Sequence, residues 1–117
     1  MKISQLAESL KYQIVVSPEE DREVETGYTS DLLSDVMGNA EEGSVLITIQ
    51  AHRNTIAVAQ QLEFPAIIIC NNRPVPSEME SSAVENGIAV MRTEDNQFVT
   101  SYKVYHALHM KENDTQG

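Results

Sequence analysis

Apolar residues along this chain follow two rhythms. Ile3, Leu6, Ala7 and Leu10 recur at helical spacing behind the cap-type residue Ser4, which predicts a short amphipathic helix over 3–10. Tyr12 to Val16 is β-branched and apolar and reads as a strand, broken by Ser17-Pro18. The run 22–28 alternates loosely, as an exposed strand does. Thr29, Ser30 and Asp31 are cap types ahead of Leu32, Leu33, Val36 and Met37, which share a helical face that Gly38-Asn39 can close.

Continuous apolar runs follow at 45–49, 66–70 and 88–91. Between the first two lies a helical segment, 55–63, with Ile56, Ala59 and Leu62 on one face and Phe64-Pro65 as its stop. Before the third lies another, opened by Ser77 and Glu80 at capping-box spacing and closed by Asn86-Gly87. Phe98, Tyr102, Tyr105 and Leu108 recur at helical spacing in a last helix. Strand and helix alternating over 45–109 predicts parallel strands joined by crossovers. Runs that stay apolar at every position suit a sheet covered on both faces. The predicted fold class is α/β: a single domain over 1–110, a largely parallel sheet flanked by helices, then a polar, disordered tail over 111–117.

Composition narrows the function classes. The chain has 117 residues, 41% of them apolar, enough for one core without metals or disulfides. Eighteen acidic against 8 basic side chains leave a net charge of -10, which argues against nucleic acid or an anionic membrane as partner. A single cysteine, Cys70, excludes an intrachain disulfide framework, and its place at the end of an apolar run predicts an inert buried thiol. Neither a span of roughly 20 apolar residues nor a signal-peptide core is legible, so the expected location is cytoplasmic.

In an open parallel sheet, ligands bind beyond the carboxyl ends of the strands. The tips after the three apolar runs carry Gln50, His52, Arg53 and Asn54; Asn71, Asn72 and Arg73; and Thr93, Glu94, Asp95 and Asn96. Two arginines can grip a carboxylate or phosphate through paired donors, and following helix starts add backbone N–H groups. The candidate ligand-binding set is Thr48, His52, Arg53, Asn54, Asn71, Asn72, Arg73, Thr93 and Asp95, with Arg53 as the main anion holder. His52 has the residue type of a general base, but no serine or cysteine stands beside it, which favours a helix-capping or ligand-contacting role. His106 and His109 have metal-compatible spacing without an evident third ligand, which favours a solvated helix face. Gly38 to Ser44 has the glycine spacing of a P-loop. It lacks the lysine, carries two glutamates and precedes a strand instead of following one.

Leu46-Ile47-Thr48, Arg53, the run 66–69, Pro74, Pro76-Ser77-Glu78, Ala83, Gly87-Ile88-Ala89-Val90 and Thr93 together resemble the DRTGG domain family. The segment 27–36 is similar to its stand-alone members. The resemblance spans about residues 3–108 and implies an α/β domain like the N-terminal domains of HPr kinase/phosphorylase and some muramyl ligases. Domains of this kind occur fused to phosphate acetyltransferases and CBS-containing pyrophosphatases, as regulatory or dimerising parts. The family's Asp-Arg is His52-Arg53 here, and its Thr-Gly-Gly is Cys70-Asn71-Asn72, so two glycines that let a ligand approach the backbone are replaced.

The reading is a non-catalytic regulatory, ligand-sensing and dimerising module that binds a small anionic ligand such as a nucleotide, with no cofactor and a protein partner also in view. The alternatives are a small enzyme using His52 as base and an adaptor that binds protein without ligand.

Overall fold

In the computed structural model the backbone is described for residues 1–116 and side chains for residues 1–110, so the expected tail over 111–117 lies outside the residues described in full. Five helices and five strands follow in the order α1 (Ile3–Leu10), β1 (Gln13–Val16), β2 (Thr26–Thr29), α2 (Leu33–Asn39), β3 (Ser44–Thr48), α3 (Arg53–Gln61), β4 (Ala66–Ile69), α4 (Ser77–Asn86), β5 (Ala89–Arg92) and α5 (Gln97–Gln116). The sheet order is β1-β5-β4-β3-β2. β2, β3, β4 and β5 run parallel, with Tyr28, Leu46, Ile67 and Val90 in register across them. β1 closes one edge antiparallel to β5, with an irregularity between Ile14 and Val16. The expected largely parallel α/β sheet is what forms.

Both faces of the sheet are covered, which is why its central strands need no polar face. Leu46, Ile67, Ile69 and Val90 point to one side, against Val36 of α2, Ile56 and Ala59 of α3, and Met79 and Ala83 of α4. Val45, Ile47, Ala66, Ile68, Cys70 and Met91 point to the other, against Ile3 and Leu6 of α1 and Val104 of α5. The crossover helices thus share one face, and the two terminal helices share the opposite face.

Three local expectations give way to tertiary structure. Ser4 does not cap α1: the N-cap is Lys2, whose N–H donates to Gln5 Oε1 at 2.9 Å, while Ser4 N donates to Asp21 Oδ1 at 2.9 Å. Ser77 is already inside α4, with Pro76 at the N-cap and no side-chain cap, since proline's fixed φ suits a helix start without a donor. The aromatic series of the last helix faces outward. Thr100 and Val104 are buried beneath α5, whereas Phe98, Tyr102 and Tyr105 are 83%, 63% and 65% exposed.

Candidate functional site

The carboxyl ends of β2 to β5 lie along one edge of the sheet, and two carboxylates organise it. Asp31, just past β2, reaches sideways instead of capping α2. Its Oδ1 accepts from Thr48 Oγ1 at 2.9 Å, Ile49 N at 3.0 Å and Gln97 Nε2 at 3.0 Å. Thr48 is fully buried, and its hydroxyl oxygen accepts from Gln50 N at 3.1 Å. The β2 tip, the β3 tip and the start of α5 are therefore joined through one carboxylate.

Asp95 does the same at the far end. Its Oδ2 accepts from Tyr12 Oη at 2.7 Å and Lys103 Nζ at 2.8 Å. The ammonium first, and then the phenol, hold the Asp95 carboxyl below the usual carboxylate range; the same contact raises Lys103. Tyr12 is raised, by burial first. Backbone bonds complete the edge: Asn71 N donates to Asp95 O at 2.9 Å, and Asn72 N to Thr93 O at 2.8 Å. Arg92 donates from Nε to Arg73 O at 2.9 Å and from Nη2 to Asn72 O at 2.7 Å, which fixes the β4 tip. Asn71 and Asn72 both have left-handed φ, 60° and 54°. The asparagine pair thus keeps a conformation that glycine would favour, because asparagine tolerates it better than other side chains.

Of the residues singled out from sequence, Asn71, Asn72, Thr93 and Asp95 come together at the β4–β5 end, and Thr48 joins Asp31. His52, Arg53 and Asn54 stand apart and exposed. α3 begins two residues earlier than its apolar pattern indicates, so Arg53 and Asn54 form its first turn. Arg53 lines a cleft of about 260 Å³ with Ser77, Glu78, Ser81, Ser82 and Glu85 of α4. His52 holds the N-cap position, but its ring makes no capping bond. Arg73 is exposed and enters the edge through its carbonyl.

The residues the pattern did not mark are Asp31, Gln97, Tyr12, Arg92 and Lys103. A cleft of about 380 Å³ beside β5 is walled by Lys11, Tyr12, Asn72, Arg92, Asp95 and Lys103. Cys70 is fully buried, as expected; its Sγ–H lies 3.4 Å from Thr100 Oγ1, and burial pushes the thiol up. His106 and His109 are exposed and stack on Tyr102 and Tyr105, with centroids 5.7 Å and 4.0 Å apart. Among the described residues no group of three or more metal-ligating side chains gathers, and no helix is long and apolar enough to cross a membrane.

The class this architecture defines is an α/β domain with a DRTGG-like fold. A solved structure sharing it is the regulatory region of Clostridium perfringens pyrophosphatase, comprising CBS and DRTGG domains in complex with the activator diadenosine tetraphosphate. The TM-score is 0.69 at 15% identity, over 87% of this chain and 45% of that one, so the chain spans less than half of that neighbour. At that identity the likeness is one of fold. No protein-family model and no curated protein matches the chain.

Proposed function

We propose that this chain is a non-catalytic regulatory module that senses a small anionic ligand, such as a nucleotide, at the carboxyl edge of its sheet and pairs with a second copy of itself. The observation that carries this reading is the double attachment of α5. The first two turns of α5 receive the strand tips through Asp31–Gln97, Thr29–Ser101, Cys70–Thr100 and Asp95–Lys103. Phe98, Tyr102 and Tyr105 leave the same helix as an outward aromatic stripe. A ligand that shifts the edge would shift the face that pairs, which is the physical requirement for coupling two sites. Exposed aromatics in such a row favour an interface over solvent.

The polar groups of the edge are braced against one another. The pyrophosphatase neighbour, a regulatory region bound to a nucleotide activator, supports the same class of role. Arg53 and Arg73 are the proposed anion holders from the β3 and β4 tips. The test is a thermal-shift screen of nucleotides and small phosphates, since a ligand that binds the folded state raises its melting point. A hit is expected, and Arg53→Ala should weaken it while leaving stability within about 0.5 kcal/mol of wild type, as for an exposed side chain. No hit across the screen, with the pairing intact, would favour the second reading, a protein-binding adaptor, which rests on the same aromatic stripe.

A further inference from the structure

A second cleft, about 540 Å³, lies between the end of α1 and the outer side of α5. Leu10, Ala107 and Met110 give it an apolar floor, Tyr102 and His106 an aromatic wall, and Lys11 and Lys103 a cationic rim. Among the described residues no carboxylate lines it. That is notable in a chain of net charge -10, whose cleft beside Arg53 includes two glutamates. Lys11 has no acidic partner among the described residues and sits in the left-handed region at the end of α1, which turns it out of the helix. Lys103 gives one donor to Asp95 and keeps two, because an ammonium carries three. The cleft also continues into the strand-tip edge: Leu10, Lys11 and Lys103 line both it and the cleft that holds Asn72, Arg92, Glu94 and Asp95.

An apolar hollow with a ring pair on one side and, where it meets the edge, one lysine without an acidic partner among the described residues and a second with two donors to spare selects a ligand with a flat aromatic part and an anionic tail. We propose that the α1–α5 cleft binds a nucleoside phosphate, its base against Tyr102 and His106 and its phosphates on Lys11 and Lys103. This rests on the anion-sensing reading and names where the ligand's base sits. The site is attached directly to the outward stripe of α5, since Tyr102 belongs to both.

The experiment is calorimetric titration of the full chain with ATP, adenosine and inorganic pyrophosphate. ATP should bind most tightly. Tyr102→Ala should weaken ATP about tenfold, by loss of one stacking surface, and leave pyrophosphate unchanged. Lys11→Asn, which keeps a residue tolerant of left-handed φ, should weaken both ATP and pyrophosphate about tenfold or more. Lys2→Gln removes the same charge elsewhere and should change neither. All three side chains are exposed, so folding is not at stake. If Arg53→Ala and Arg73→Ala weaken ATP while Tyr102→Ala and Lys11→Asn do not, the cleft assignment falls and the strand-tip reading stands. If ATP and pyrophosphate bind equally and Tyr102→Ala is silent, the base subsite is wrong. If no probe binds at millimolar concentration, the cleft assignment and the anion-sensing reading fall together.

Discussion

Removing Asp31 should cost more than its place in a surface loop suggests. One oxygen of this carboxylate serves three donors, at 2.9, 3.0 and 3.0 Å. Asp31→Ala leaves Ile49 N and the hydroxyl of fully buried Thr48 without that acceptor. Each buried donor left unpaired costs about 1–3 kcal/mol. Gln97 is half-buried and can turn its amide to water, so it adds little. Two such donors sum to about 2–6 kcal/mol, and because Ile49 is only half-buried and water can reach its N–H, the expectation for Asp31→Ala is about 2–4 kcal/mol. Asp31→Asn keeps an acceptor oxygen in place and loses only the charge assistance, about 1 kcal/mol. For a domain of this size about 4 °C of melting temperature accompanies each kcal/mol, so the alanine variant should melt ~8–16 °C lower. Urea unfolding followed by far-UV circular dichroism measures both variants, with an unchanged m-value marking a true stability loss. Asp31→Ala within about 0.5 kcal/mol of wild type at equal m would show that water replaces the carboxylate and that the brace is not structural. Asparagine as costly as alanine would show that charge, not acceptor geometry, holds the edge.

Other outcomes follow from the same contacts. Asp95 is held below its ordinary pKa, so its stabilisation is full above the unfolded value of about 3.9 and is lost as pH falls through the lower folded value. Lys103 and Tyr12 are raised, so their stabilisation is full below their ordinary values of about 10 and is lost as pH climbs through the folded ones. Urea midpoints against pH should show both limbs, and Asp95→Asn should flatten the acid one; an unaltered acid limb would refute the assignment. Cys70 should react with a thiol reagent only when the protein opens, and labelling of the native chain at the rate of a free thiol would contradict its burial. Light scattering at tens of micromolar, an ordinary range for such affinities, should report a dimer that Phe98→Ser with Tyr105→Ser converts to monomer; a monomeric wild type would refute the pairing.

The sheet was legible because its signals are local and redundant. Ile67, Ile68 and Ile69 cannot place every side chain on a buried face unless both faces are covered, and the structure covers both. Pro65 and Gly87 then stop α3's approach to β4 and the end of α4 where backbone chemistry requires it; Gly87 takes φ 67° as the C-cap. Caps were less legible, because several residue types can occupy them. Ser4 is a better local cap than Lys2, but Asp21, 17 residues away, takes both its N–H and its hydroxyl.

The site was legible as a place and not as a set of partners, and the reason is sequence separation. Asp31 before Leu32 and Leu33 looks like a helix cap, since asparagine, aspartate, serine and threonine all favour that position. Its actual partners lie 17, 18 and 66 residues on, and Tyr12 meets Asp95 across 83. No window of the chain contains those pairs. Lys103 carries the same lesson: within α5 it is one cation on a helical surface, yet it pairs with Asp95 at 2.8 Å and rims the α1–α5 cleft. Arg53 is the converse case. Its position after an apolar run marked it, but the helix begins early enough to place it in the first turn of α3, lining a cleft that Glu78 and Glu85 of α4 also line. Carboxylates stand near both candidate anion sites: Glu78 and Glu85 share the cleft of Arg53, and Glu94 and Asp95 share the cleft of Lys11, Arg92 and Lys103, so the repulsion of an anion by fixed carboxylates acts at each. What separates the two clefts is the number of cations: among the described residues Lys11, Arg92 and Lys103 line the one beside β5 and Arg53 the one beside α4, so Lys11→Asn against Arg53→Ala tells which of them holds the anion.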